Sequence, residues 1–239
     1  MRWLIDNFSQ VVDLAKTHLY LALLPLLIGL LIAVPVGVAI RNLPWLRKTA
    51  MTMASLAFTI PSLALFVTIP PLLGLSILDE LNVVIALSIY STALLVRAVP
   101  EALDSVPESV IDSATAMGFT PLRRALTVEL PLAIPVLISS IRVVAVTNIS
   151  LVSVGSLIGI GGLGELFTKG YQRDYPDQIL AGIIAIVFLA LVIDGLLYIA
   201  GRLLTPWTRT ARSRKADEPA AVLRAAAPKA ALRATEGPA

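Results

Sequence analysis

The sequence has 239 residues, of which 57% are apolar and only 15% charged, with a formal net charge of +3. A water-soluble domain carries nearer a quarter charged residues, so this composition excludes an ordinary soluble protein and points to one that spans a membrane. With no cysteine and one histidine, disulfides, thiol nucleophiles and multi-histidine metal sites are excluded, and the basic residues flank apolar runs rather than forming a nucleic-acid surface.

Residues 1–17 read as an N-terminal interfacial segment, with Trp3, Phe8, Val11, Val12 and Ala15 at roughly helical spacing among polar positions. Asp6, Asp13 and Lys16 interrupt this stretch before the first apolar run, against a cleavable signal peptide. The transmembrane domain follows over residues 18–207. Leu19 to Ile40 holds no charge and is long enough to cross a hydrocarbon core of about 30 Å. The second apolar stretch, 50–73, contains Pro61, Pro70 and Pro71 and predicts a kinked helix ending near Pro70. A short third span is expected at 81–97, bounded by Glu80 and Arg97. A polar section, 98–131, separates it from spans expected at 132–158 and 179–204. Residues 208–239 are rich in Ala, Pro, Arg and Lys without an apolar face and read as a disordered tail.

The expected architecture is thus an all-α integral membrane protein of five transmembrane helices. Arg41, Arg47, Lys48, Arg97, Arg123, Arg124 and the basic residues from Arg202 onward fall on one side, whereas Arg2, Lys16, Lys169 and Arg173 fall on the other. The positive-inside rule puts the N-terminus outside and the C-terminus inside.

The section between spans three and four carries the most local information. Ser105-Val106-Pro107-Glu108 has capping-box spacing and predicts a helix start. That helix runs through Asp112, Ser113 and Ala114 and stops at Gly118. Thr120-Pro121 predicts a second start, for a helix carrying Arg123, Arg124 and Glu129 and ended by Leu130-Pro131. The pattern is two short helices hinged at a glycine, with small residues on one face that let a partner approach closely.

Asp112-Ser113-Ala114, Gly118 four residues on, and then Leu130-Pro131 resemble the "EAA" coupling loop of bacterial ABC-importer permeases, with Asp112 in place of glutamate and Ser113 in place of the first alanine. The stretches Thr59–Leu65 and Leu157–Gly164 resemble the branch that carries glycine betaine, carnitine and choline. The resemblance covers the chain up to about Pro206. It implies the type I importer permease (MetI-like) fold, partner ABC ATPase subunits docked on the loop, a second permease chain, identical or related, and an extracytoplasmic substrate-binding protein. It implies transport without a cofactor; ATP hydrolysis belongs to a partner, because no G-x-x-x-x-G-K-[ST] phosphate loop occurs here. A permease of the same fold for another small solute, such as methionine, is the nearest alternative reading. A membrane-embedded enzyme would need facing acids or histidines that the spans lack.

Gly159-x-Gly161-x-x-Gly164 matches a dinucleotide fingerprint literally, but it follows an apolar helical run rather than a strand, so an exit turn is expected. Arg142 and Asp194 lie inside spans, which marks either an internal ion pair or a part of the solute path. His18 reads as interfacial. Tyr90 reads as packing, with a cation-binding ring as the alternative.

Overall fold

A computed structural model describes residues 3, 6–41 and 43–207, so the expected tail at 208–239 lies outside the described residues. The chain divides into two compact units, Met1–Ile199 and Ala200–Ala239. Of the second, the description covers the end of the last helix and Thr205–Trp207, where the Thr205 hydroxyl bonds the Gly201 carbonyl at 2.8 Å.

The first helix, α1 (Phe8–Ile40), is continuous for 33 residues. Helical backbone therefore runs unbroken through residue 17, from the polar N-terminal turns into the first apolar run. At 1.5 Å per residue the helix is about 50 Å long, well over the hydrocarbon thickness, so its ends emerge from the apolar layer. Pro25 and Pro35 are accommodated without a break, as neighbouring helices allow in membranes.

The second apolar stretch forms two half-helices, α2 (Pro44–Thr59) and α3 (Ser62–Leu73), bent by 97°. A simple kink ending near Pro70 is thus corrected: the break falls at Ile60-Pro61, and Pro70 and Pro71 stay inside α3. Proline disfavours helical backbone in the residue before it, and Ile60 is extended at φ −68°, ψ 128°. The Tyr90 hydroxyl donates to the Ile60 carbonyl that the break exposes, and the Tyr90 ring meets Phe58 edge-on at 5.6 Å. Tyr90 is 2% exposed and so has no free face for a cation.

The third long helix, α4 (Glu80–Asp104), starts at Asp79, whose side chain accepts from the Leu81 amide at 2.9 Å. It runs seven residues past the expected end at Arg97, because Ala98, Val99, Ala102 and Leu103 are buried and continue its apolar face. α4 is the centre of the bundle: 67% of its most apolar window is buried, against 17% for the last helix. Its closest partner is α1. A Cβ on Gly29 would lie 2.6 Å from that of Ser91, and one on Gly37 would lie 2.5 Å from Val99. Small residues on α1 therefore set the separation of the two helices.

Beyond α4 come α5 (Glu108–Ala116) and α6 (Pro121–Arg124), then a π turn, Ala125–Glu129, leading without interruption into α7 (Leu130–Gly155). The expected stop at Leu130-Pro131 is corrected. Pro131 has no N–H to give, and the chain passes it by widening, with the Leu130 amide bonding the Ala125 carbonyl five residues back. The capping box is corrected too: the N-cap of α5 is Pro107, and the Ser105 hydroxyl turns back to the Ala102 carbonyl at 2.6 Å.

After α7, a 3-10 turn (Ser156–Ile158) and a glycine-rich loop lead to α8 (Glu165–Gln172) and α9 (Pro176–Leu204). Among the described residues, four single helices are long and apolar enough to cross a membrane, five counting the bent pair as one.

Candidate functional site

α5 projects as a short helix between α4 and α6. Asp112 and Ser113 are exposed, while Ala114 is 1% exposed and packs within the chain. Of the small residues expected to face a partner, Ser113 and Ala116 are exposed and Ala114 turns inward. The Ser113 hydroxyl is used locally, donating to the Ser109 carbonyl at 2.7 Å.

Gly118 ends α5 in the left-handed region, at φ +83°. Its amide bonds the Thr115 carbonyl at 2.9 Å and the Phe119 amide bonds Ala114 at 3.2 Å. These are the two bonds of a Schellman turn, which uses glycine because a side chain is strained at that φ. A Cβ there would meet nothing within 4 Å, so the requirement comes from the backbone alone. The Arg123 guanidinium lies over the Phe119 ring at 4.9 Å.

Arg124 does something the sequence did not suggest. Its Nη1 donates to the Thr115 hydroxyl at 2.6 Å and its Nε to Glu129 Oε1 at 2.7 Å. Glu129, at the end of the π turn, is 1% exposed, and its other carboxylate oxygen pairs with Arg41 at the end of α1. Arg41 also donates to Asp104 (3.1 Å) and to the Leu103 carbonyl (3.1 Å), and Arg47 of α2 pairs with Asp104 at 2.7 Å. A cavity of about 190 Å³ adjoins Arg41, Arg124 and Glu129. Sequence reasoning assigned Arg41 and Arg47 to topology alone, and passed over Asp104. Nothing in the sequence singled out Glu129, since an acid beside the end of an apolar run is ordinary.

Leu130 and Pro131 are half-buried inside the continuous α6–α7 rod. Farther along, Arg142 of α7 meets Asp194 of α9 through two parallel hydrogen bonds, Nε to Oδ1 at 2.7 Å and Nη2 to Oδ2 at 2.6 Å, with the Tyr198 ring 5.3 Å from the guanidinium. This fork fixes the rotation of both helices.

His18 is fully buried rather than interfacial. The Leu163 amide donates to Nδ1 at 3.2 Å, so the proton sits on Nε2, which donates to the Ile149 carbonyl at 2.9 Å. One imidazole thus joins α1, α7 and the glycine-rich loop. Gly162, at φ +75°, lies so close that a Cβ would stand 2.9 Å from Nδ1. The loop is a turn after a helix, as its glycines suggest, with no strand among the described residues.

Membrane-length helices around a core crossed by polar contacts, with a helical hairpin tied to the ends of α1 and α4, define a multi-pass helical membrane protein. The chain matches, over residues 26–210, the family described as binding-protein-dependent transport system inner membrane component, and it belongs to that family. It is therefore a permease subunit of an ABC importer, a multi-pass protein of the inner membrane. It is 35% identical over 208 residues to the osmoprotectant import permease protein OsmW of Salmonella typhimurium, covering 86% of this chain and 97% of that one. To the choline transport system permease protein OpuBB of Bacillus subtilis it is 31% identical over 206 residues, covering 86% and 94%. The MetNI methionine ABC transporter, solved in inward-facing conformations, shares the fold at a TM-score of 0.74 and 24% identity, over 82% of this chain and 96% of that one.

Proposed function

We propose that this permease carries quaternary-ammonium osmoprotectants such as glycine betaine, carnitine or choline. In this reading it pairs with a second permease chain, receives solute from an extracytoplasmic binding protein, and docks ATPase subunits on the loop from Ser105 to Pro131. The substrate class is supported by relatives at 30–35% identity named for osmoprotectants, choline and carnitine. A methionine permease has only the likeness of fold behind it. The bent pair α2–α3 counts as one span, giving five, with the N-terminus outside and the C-terminus inside.

The observation that carries the coupling role is the projecting helix α5, which shows Asp112 and Ser113 to solvent and ends in a turn only glycine adopts freely. Nucleotide-driven closure of the ATPases would push this helix and shift the pathway between outward and inward access. The test is solute uptake in vesicles containing the permease, its ATPase and its binding protein. Ser113→Trp places bulk on the docking face, and Gly118→Val strains the hinge without a steric clash. Both variants are expected to accumulate normally and to lose labelled glycine betaine uptake, with ATPase that dissociates or hydrolyses ATP idly. Full uptake in both would remove the loop from the mechanism.

Orientation has its own test, made simple by a chain without cysteine. Ser76→Cys is expected to react with a membrane-impermeant maleimide in intact cells, and Ser105→Cys only after the membrane is opened. Outside labelling of Ser105→Cys would invert the topology.

A further inference from the structure

The coupling reading leaves a mechanical problem. α5 is joined to α6 through Met117–Thr120, and Gly118 sits in the middle of that joint. A push on a helix followed by a flexible joint is absorbed there unless something braces it.

The geometry points to Glu129 as that brace: a buried carboxylate that clamps the coupling hairpin to the end of α1, so that displacement of α5 reaches the spans instead of dissipating at Gly118. The inference rests on the coupling reading above. It is carried by three observations.

First, Arg124 spans the joint. Its guanidinium holds Thr115 on the α5 side of Gly118 and Glu129 beyond α6, closing a triangle across the hinge. Second, the triangle is anchored elsewhere. The second oxygen of Glu129 pairs with Arg41 of α1, which is itself fixed to Leu103 and Asp104 at the end of α4. Hairpin, α1 and α4 are thereby tied through a single carboxylate. Third, Glu129 is 1% exposed and the Arg41 side chain 15%. A pair shielded from water is screened little and holds a defined geometry, whereas a surface pair holds almost none. The π turn that ends at Glu129 supplies the freedom the brace needs, since such turns are points where a helix can change its local winding. Glu129 touches no solute in this scheme; it is a positioning residue.

The test measures ATP hydrolysis and solute uptake in the same vesicles holding the complete transporter, so that the readout is solute moved per ATP hydrolysed. Glu129→Gln keeps the shape and removes the charge. It is expected to lower that ratio by about tenfold, the population change produced by losing one charge-assisted hydrogen bond. Arg41→Gln is expected to do the same, and the double Arg41→Gln/Glu129→Gln to be no worse than either single, because both act through one link. An unchanged ratio in Glu129→Gln overturns the inference. So does a loss of abundance with the ratio intact, which marks a purely structural residue.

Where Glu129→Gln fails to accumulate, Thr115→Val decides, since it cuts the outer end of the link at an exposed site without stranding a buried charge. A lowered ratio supports the brace, and an unchanged one ends it. The two readings separate cleanly. Full uptake in Ser113→Trp dismisses the coupling loop itself. Lost uptake in Ser113→Trp beside a normal ratio in Glu129→Gln dismisses only the brace.

Discussion

Replacing Arg142 by leucine is expected to remove most of the folded protein from the membrane, and replacing Asp194 in the same strain is expected to bring much of it back. Arg142 is the only charge in α7, and both of its bonded nitrogens are committed to the two oxygens of Asp194. The two side chains are 31% and 32% exposed, and cutting either partner leaves an unpaired ion within an apolar helix, where a charge is costly. Removing both leaves an apolar contact, which costs far less than half a pair. Arg142→Leu and Asp194→Leu should therefore each deplete the protein, with Arg142→Leu/Asp194→Leu more abundant than either. The exchange Arg142→Asp/Asp194→Arg should recover part of the loss, though not all, because it moves the cation away from its place over Tyr198. Quantified membrane fractions and detergent-solubilised melting curves give the answer. A double variant no more abundant than the singles would show that the fork holds nothing together. Uptake per folded molecule separates the fold from the solute path: a structural pair changes the amount of protein and leaves that figure alone.

His18→Phe should also be severe, although it swaps one ring for another. The phenyl ring fills the space but neither accepts from the Leu163 amide nor donates to the Ile149 carbonyl. The buried Leu163 amide then lacks a partner, at about 1–3 kcal/mol, and the Ile149 carbonyl keeps only its helical bond within α7. The glycine-rich loop should loosen first, because Gly162 rests directly on the imidazole. The expected signature is a lower melting temperature together with faster proteolysis between Gly159 and Gly164. A variant that melts with the parent protein would mean that the two bonds contribute nothing net.

How much of this was readable in advance follows from where each interaction leaves a trace. Charge-free windows locate spans because a helix in lipid tolerates few ions, and Pro61 marks a disturbance because it lacks a donor. The size of the bend at Pro61 depends on what receives the freed Ile60 carbonyl, and that receiver is Tyr90, thirty residues away. α4 outran its expected end because Arg97, Glu101 and Asp104 point away from the buried face of Val99, Ala102 and Leu103, and a simple charge boundary cannot see faces. Arg142 and Asp194 stand out because they interrupt apolar runs. Arg41 and Glu129 do not, since charged residues at span ends are ordinary. His18 was missed for a different reason: its partners are a backbone amide and a backbone carbonyl, which every residue type possesses. The inward turn of Ala114 depends on the phase of a nine-residue helix, too short for periodicity to fix.

The unbroken length of α1 has one last consequence. Its fully buried His18 and its Arg41 stand 23 residues apart, about 35 Å along one helix axis. One is fastened to the glycine-rich loop and the other to the ion-paired ends of α4 and the π turn. A helix held this way behaves as a lever. Tilting it by about 3° at one fastening carries the other by about 2 Å, enough to exchange hydrogen-bond partners. The glycine-rich loop and the ion-paired cluster are thus in mechanical register through a single rod, and a disturbance at either end is carried along α1 and against α4, on which it packs at Gly29 and Gly37.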